Sequence, residues 1–286
     1  AFPAAMRGRA LGAIGAVVGL GLTVGPPLGG FLLEAAGWPV IFLVNLPIGL
    51  FAFALALRLL PRDAARAAAR APLFDAALLR NRVFTAAAGS LFLSFVSLFA
   101  AVFLAPFYLE NVGGLAPAQV GRVLVVVPLL LLLVAPAAGA LSDRIGTRRL
   151  ATTGLVVITA GMGFLAWLVG RATERPAGVG EMIAGLFVVG LGKGLFQPAN
   201  SSAAMGAVPP ARLGLAGGLV ATMRNFGMVV GIALAAVTYE ARQGVYRAGG
   251  AGLVAAAGQG MRDALLVGAA AAALGVVLVL RTRTRA

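Results

Sequence analysis

The sequence lacks cysteine and histidine, and only 11% of its 286 residues are charged. Without cysteine there is no disulfide and no thiol nucleophile, and without histidine the commonest general base and zinc ligand are missing. A soluble globular domain has about 25% charged residues, so an ordinary soluble domain is a poor fit. The chain is instead 60% hydrophobic with a mean hydropathy of +0.99, which indicates a membrane protein. We expect no enzyme, no metal site and no cofactor.

The net charge of +14 arises from 23 Lys and Arg against 9 Asp and Glu. The basic residues fall in short clusters between apolar runs, whereas a nucleic-acid-binding protein gathers them on one soluble face. The charge therefore indicates membrane topology. It predicts the lipid bilayer, and not nucleic acid, as a partner.

Eight apolar runs are long enough to cross a membrane as helices, which takes about 20 residues. Barrel strands run to about 10 residues with alternating polarity, and these runs are apolar on nearly all sides. The sequence therefore predicts an all-α integral membrane bundle of eight transmembrane helices. They lie near residues 11–31, 39–58, 83–108, 119–141, 149–170, 181–205, 213–239 and 262–281.

The distribution of Arg predicts the orientation of these spans. If the N-terminus is cytoplasmic, the inner segments hold 15 Arg against three Asp, while the outer segments hold six basic and six acidic residues. This satisfies the positive-inside rule and places both ends of the chain in the cytoplasm. All Trp and Tyr residues lie near predicted outer ends, as an interfacial belt would: Trp38, Tyr108, Trp167, Tyr239 and Tyr246.

The longest polar interval, residues 59–82, is predicted to be a cytoplasmic linker. Arg62, Arg66 and Arg70 recur at a spacing of four, which places like charges on one helical face. Anionic lipid headgroups would relieve this repulsion, and the segment then lies along the membrane surface. A solvated connector that obeys the positive-inside rule explains the same residues equally well.

The first span carries a glycine strip and a proline bend. Gly21, Gly25 and Gly29 recur every four residues, so a neighbouring backbone can approach closely, and Pro26 removes an amide donor. With Gly30, these residues resemble the antiporter motif G-x-x-x-G-P-x-x-G-G of the major facilitator superfamily, in its fifth helix. Residues 37–49 then resemble the start of the sixth helix in the drug:proton antiporter branch that usually has fourteen helices.

A second motif lies between the fourth and fifth spans. It consists of Gly139, Asp143, Arg144, Gly146, Arg148 and Arg149, and it resembles the superfamily's cytoplasmic loop pattern. We expect Asp143 to accept a hydrogen bond from a helix-start amide or to pair with an Arg across the cytoplasmic seam, and Gly146 to permit a tight turn. A state-dependent ion pair would make this a gating loop. Positive-inside anchoring alone is the alternative.

A polar stripe marks the sixth span. Lys193, Gln197 and Asn200 fall within about 60° of one another on a helix. A charge at the bilayer centre costs roughly 2.5 to 3.5 kcal/mol, so Lys193 is a candidate cavity or coupling residue. The alternative is that its long stem snorkels or bonds a neighbouring carbonyl. The major facilitator superfamily, which the chain resembles, does not require a lysine at this position.

The seventh span contains Arg224 and Asn225, and it resembles the eleventh helix of the same antiporter branch. Arg224 lies well inside the span, so it needs a partner or a wet cavity. We expect a structural or coupling role for this pair rather than direct contact with a drug.

The third span has two distinct faces. A stripe of Phe92, Phe95, Phe99 and Phe103 could stack a flat drug, while Ser90, Ser94 and Ser97 occupy the opposite face. Polar groups cost more than phenyl rings when they face lipid. We therefore expect the serine face to point inward and the phenylalanine stripe outward.

The resemblance implies helices five to twelve of a twelve-helix layout. Residues 1–58 would be the last two helices of the N-terminal half, 59–82 the linker, and 83–286 the C-terminal six-helix half made of two inverted repeats. Two departures stand out. The linker is too short for the two extra helices of the fourteen-helix branch, and every Asp and Glu lies at a helix end or in a loop. The chain opens at Ala1 without an initiator Met, and the resemblance implies that four helices precede it.

As a function, the resemblance implies a secondary transporter of the plasma (inner) membrane that exports drug-like or amphipathic small molecules by alternating access, with protons as the coupled ion. Two alternatives stay open. One is a transporter of a native metabolite such as a sugar or organic acid, and the other is a non-transporting membrane remnant.

Overall fold

The structure is a computed structural model, and it describes residues 37–59, 80–171 and 177–282 together with the single positions 17, 21, 32 and 78. Every regular element in these ranges is a helix, so the predicted all-α class is confirmed. The described ranges contain nine α-helices and a short 3-10 turn, Pro210–Arg212. The helices are α1 (Trp38–Leu43), α2 (Asn45–Leu59), α3 (Arg82–Asn111), α4 (Pro117–Leu124), α5 (Val126–Ile145), α6 (Thr147–Gly170), α7 (Val179–Gly206), α8 (Leu213–Ala248) and α9 (Leu253–Arg281).

Six apolar segments in the described ranges are long enough to cross a membrane: α3, α4 with α5, α6, α7, α8 and α9. They agree with the third to eighth predicted spans. The second predicted span is broken at Val44 into α1 and the apolar helix α2, which is shorter. The first predicted span and most of the predicted linker lie outside the described residues.

The ends of α8 and α9 at the turn that joins them differ from the prediction. Both helices run well past the predicted limits of residues 239 and 262, because the polar side chains there pair between the two helices. Arg242 Nε donates to Asp263 Oδ2 at 2.5 Å, and Tyr246 Oη donates to the same oxygen at 2.9 Å. Charged residues that resembled a loop in the sequence therefore extend a helical hairpin.

The six long segments pair in a pattern that two three-helix repeats would produce. Helix α3 packs against α8 as α7 packs against α5, and α9 packs against α3 as α6 packs against α7. One group consists of α3, α5 and α6, and the other consists of α7, α8 and α9. When each helix is exchanged for its counterpart in the other group, the pairs α6–α9 and α3–α7 are unchanged. This is the internal symmetry found in transporter halves.

Glycine allows the closest of these approaches. A Cβ placed on Gly154 of α6 would lie 2.6 Å from Phe196 N of α7, and one on Gly192 of α7 would lie 2.7 Å from Ile158 N of α6. The backbones of α6 and α7 contact each other at these two glycines, because no side chain separates them there. Small residues at a helix crossing are the usual means of association in lipid, where burial of apolar surface supplies no driving force.

The two ends of the bundle differ in composition. At one end Tyr108 Oη accepts from Ala177 N at 2.7 Å, and the Arg171 guanidinium lies 4.5 Å from the Trp167 ring centroid. At the other end Arg148 donates to the Leu280 carbonyl at the end of α9. The alternating helices thus place the described tyrosines and Trp167 opposite the main Arg clusters. Which end faces the cytoplasm stays a prediction.

Candidate functional site

The loop motif occupies the α5–α6 turn. Gly146 has φ 91°, a left-handed conformation that glycine adopts without strain, and it is the N-cap of α6. Asp143 lies in the last turn of α5 with its side chain exposed, and no side chain caps α6. The N-cap position is thus a glycine without a side chain, and the interpretation of Asp143 as an acceptor from a helix-start amide stays a prediction. Pairing across the cytoplasmic seam stays a prediction, as does the gating role of Gly139, Arg144 and Arg149.

The turn gives a testable prediction. We expect Gly146→Ala to lower the free energy of unfolding by about 1 to 2 kcal/mol, because in a left-handed conformation the alanine Cβ lies too close to the following carbonyl oxygen. Gly252→Ala is the matched control, since Gly252 is also an N-cap, its φ is −62°, and a Cβ there meets open space. Denaturant unfolding of the detergent-solubilised protein measures both variants. Equal losses would contradict a left-handed requirement at Gly146.

The antiporter motif is mostly outside the described residues. Gly21 is helical and exposed, with open space where a Cβ would stand. Gly25, Pro26, Gly29 and Gly30 are not described. Their packing and their role stay predictions.

A polar seam lies between α3 and α7 in the middle of the bundle; we use the name for Ser90 and Ser94 of α3 with Lys193 and Asn200 of α7. All four side chains are buried. Asn200 Nδ2 donates to the Ala87 carbonyl at 2.9 Å, and Ser90 Oγ lies 3.1 Å from Asn200 Oδ1. Asn200 and Ser90 therefore satisfy each other and the α3 backbone.

Lys193 is the charged member of the seam, and its exposed fraction is 1%. Its Nζ donates to Ser94 Oγ at 2.9 Å, and Ser94 Oγ itself lies 2.7 Å from the Leu91 carbonyl, to which it donates. The same Nζ lies 3.4 Å from the Phe95 ring centroid, close enough for a cation–π interaction. The Lys193 ammonium group thus contacts the Ser94 hydroxyl and the face of the Phe95 ring inside the bundle. The side chain neither extends to the membrane surface nor bonds a carbonyl, so both alternatives are wrong.

The two faces of α3 follow the prediction in part. Ser90, Ser94 and Ser97 are fully buried, which confirms that the serine face points inward. The outward direction of the phenylalanine stripe is wrong at Phe95, which is buried beside Lys193. Phe92 is half-buried, and its ring stacks on the exposed Phe226 of α8 with centroids 5.5 Å apart. Helix α8 covers this face because Gly227 and Gly231 let it approach the α3 backbone.

The other candidate residues, Gln197, Arg224 and Asn225, differ in burial and in their contacts. Gln197 lies on the Lys193 helix, and its Oε1 is buried without a hydrogen-bond partner among the described residues, as is Ser97 Oγ. Arg224 is half-buried on α8, about one turn before Gly227, whose Cβ position is 2.9 Å from Phe95 Cβ. Asn225 is exposed and does not join the seam. The structure thus brings Lys193 and Asn200 into one seam and places Arg224 on the helix that packs against Phe95.

Sequence reasoning missed the partners Ser94 and Phe95 because they lie on a helix about a hundred residues away in the chain. The serine stripe was the available signal, since a polar stripe on each of two apolar helices suggests that the stripes face each other.

These features define a class of protein. An α-helical multi-pass bundle with repeat symmetry and a buried charge at mid-span has the architecture of a membrane transporter. The chain belongs to the Major Facilitator Superfamily, whose family model matches residues 1–231 and 114–286.

The names of curated relatives agree with the assignment of the chain to a family of membrane transporters. The chain is 31% identical over 283 residues to the riboflavin transporter RibZ of Clostridioides difficile, an alignment that covers 82% of this chain and 61% of the relative. It is 28% identical over 292 residues to a multidrug resistance protein B homolog of Mycobacterium tuberculosis, covering 82% and 54%. It is 24% identical over 299 residues to the tetracenomycin C resistance and export protein of Streptomyces glaucescens, covering 85% and 55%. The chain therefore spans between half and two thirds of the length of these relatives.

Proposed function

We propose that the chain is part of a secondary active transporter that exports drug-like or amphipathic small molecules by alternating access. The observation that carries this proposal is the polar seam with buried Lys193, because an ionisable group inside a membrane bundle is costly and is kept for transport or coupling. The names of the two relatives that confer resistance or export support the direction and the substrate class.

The further assignments belong to the same proposal. Protons are the coupled ion, and Lys193, Gln197, Asn200, Arg224 and Asn225 are the cavity or coupling candidates. The protein lies in the plasma membrane with both ends of this chain in the cytoplasm, an orientation that the Arg distribution supports. Residues 1–58 belong to one half of the transporter, residues 59–82 form the linker, and residues 83–286 form the other half.

A native metabolite is the second candidate substrate. The relative with 31% identity carries the name of a riboflavin transporter, so a vitamin or another aromatic metabolite fits the same fold. The seam does not distinguish the two candidates, because its aromatic and polar groups suit both.

The test uses inverted membrane vesicles that contain the natively encoded protein and hold an imposed proton gradient. We expect uptake of at least one drug-like aromatic dye, the cation ethidium or the anion fluorescein, and we expect its addition to dissipate part of the gradient, as drug:proton exchange requires. Lys193→Met should reduce uptake at least about tenfold if the residue is essential for coupling. Arg281→Gln, an exposed change at the end of α9, is the control for altered charge.

The outcomes separate the candidates. Uptake of riboflavin that ethidium does not inhibit would move the assignment to metabolite transport. Absence of both substrate uptake and proton movement would refute a transporter and favour a membrane remnant.

A further inference from the structure

Among the described residues, the region around Lys193 contains two basic side chains and no acidic one. Phe95 covers Lys193 Nζ, and Arg224 of α8 lies about one turn before Gly227, whose Cβ position is 2.9 Å from Phe95 Cβ. The acidic residues of the described ranges lie toward helix ends or where α8 and α9 meet at their connecting turn: Glu110, Asp143, Glu181, Glu240 and Asp263. None of them is an ion-pair partner of Lys193 or Arg224. The described part of the protein thus concentrates cationic charge without compensating it.

The hydrogen-bonding capacity of Lys193 is also incompletely used. An ammonium group has three donors, and Ser94 Oγ is the one hydrogen-bond acceptor that Nζ reaches among the described residues. The Phe95 ring takes up part of the charge, but it is a weak substitute for an anion. Asn200 and Ser90 bond each other and the Ala87 carbonyl, and neither is a hydrogen-bond partner of Lys193 in the described structure.

One turn along α7, Gln197 Oε1 is buried without a partner in the described structure. A buried polar atom that lacks a hydrogen bond indicates a missing partner. Gln197 can accept from a ligand through Oε1 or donate through its amide nitrogen, while Lys193 and Arg224 can only donate. The combination suits a ligand that has an anionic group and further polar atoms.

Aromatic rings flank these charges. Phe95 lies against Lys193, and a Cβ placed on Gly227 of α8 would lie 2.9 Å from Phe95 Cβ. The ring-bearing residue therefore stands at the α3–α8 contact. Phe226 of α8 is stacked on Phe92 and is 55% exposed.

We propose that this region, formed by Lys193, Gln197 and Arg224 with Phe95 beside them, binds the anionic group of an aromatic substrate, such as a carboxylate or phenolate. The proposal rests on the proposed function as a small-molecule transporter and narrows its substrate class from drug-like compounds in general to aromatic anions. Buried cations select an anion because both the Coulombic attraction and the unused donors favour it over a neutral or cationic analogue.

The test is equilibrium binding to the purified, detergent-solubilised natively encoded protein by isothermal titration calorimetry. The probes are 2-naphthoate, its uncharged amide 2-naphthamide, and the cation 2-naphthylmethylammonium, which share the ring and differ in charge. We expect naphthoate to bind at least about tenfold more tightly than either analogue. Lys193→Met and Arg224→Met should each reduce this preference at least about fivefold, while Arg281→Gln should leave it unchanged.

Equal binding of the three probes, tighter binding of the cation, or no binding of naphthoate would overturn the proposal. So would a preference that persists in both Met variants. If Lys193→Met does not yield a monodisperse protein, the wild-type preference and Arg224→Met decide the result. Binding without a gradient is independent of transport, so export of ethidium with no anion preference would refute this inference alone. An anion preference without any uptake in vesicles would refute the proposed function alone.

Discussion

Adding a single methyl group to Gly154 or Gly192 is expected to disrupt the folded bundle. A Cβ on Gly154 would lie 2.6 Å from Phe196 N and 2.8 Å from Gly192 O, and one on Gly192 would lie 2.7 Å from Ile158 N. These are backbone atoms, which cannot rotate away as a side chain can. The α6–α7 contact, on which the first repeat meets the second, would have to separate.

The expected magnitude is large for a one-carbon change. Overpacking of a core usually costs about 1 to 3 kcal/mol, and a clash with two helix backbones should reach at least the upper end of that range. We expect Gly154→Ala and Gly192→Ala each to lower the free energy of unfolding by about 3 kcal/mol. Heating the detergent-solubilised protein and following its monodisperse fraction by size-exclusion chromatography reveals the loss.

Gly163→Ala is the matched control on the same helix, because no atom lies within 4 Å of its Cβ position. Alanine is a better helix former than glycine by about 1 kcal/mol, so this control should be neutral or stabilising. The opposite signs of two identical substitutions on α6 are the informative result. A loss no greater at Gly154 than at Gly163 would mean that α6 and α7 do not meet as described.

The second expected result concerns the support of Lys193. Ser94→Ala removes the hydroxyl that accepts from Nζ. The buried ammonium then has the Phe95 and Phe196 rings as its remaining partners among the described residues. A hydrogen bond to a charged group contributes about 1.5 to 3 kcal/mol, and a buried donor that loses its partner also pays its desolvation cost. We expect a loss of about 2 to 3 kcal/mol in unfolding free energy.

A double-mutant cycle tests the cause. In a Lys193→Met background the charge is absent, so Ser94→Ala should cost less than about 1 kcal/mol. Ser142→Ala controls for the loss of a buried serine, because the Ser142 hydroxyl bonds only the Gly139 carbonyl of its own helix in the described structure. Denaturant unfolding measures all four states. Equal losses from Ser94→Ala in both backgrounds would show that Lys193 does not depend on that hydroxyl.

Both results bear on which helix contacts could change under the proposed function. The α6–α7 contact is fixed by backbone approach and has no room to slide, whereas the α3–α7 seam is held by side chains that can exchange partners. If the chain belongs to a transporter as proposed, we expect helix movement at the seam, where Lys193 lies, rather than at the glycine crossing.

The sequence by itself determined the class, the approximate spans and the turn glycine. Transfer of about 20 apolar residues into hydrocarbon is favourable residue by residue, so hydropathy locates a span without knowledge of its neighbours. The left-handed turn at Gly146 is equally local. The inward direction of Ser90, Ser94 and Ser97 could also be predicted, because lipid exposure penalises a hydroxyl wherever the helix packs.

Only the tertiary structure decided which groups meet. The bond from Lys193 to Ser94, the burial of Phe95, and the continuation of α8 and α9 through Arg242 and Asp263 all join separate helices. Hydropathy and periodicity give the faces of one helix but not the rotation and height of its neighbour. Those are fixed by packing, and above all by where glycine lets two backbones touch, since lipid solvates the outside of every helix equally well.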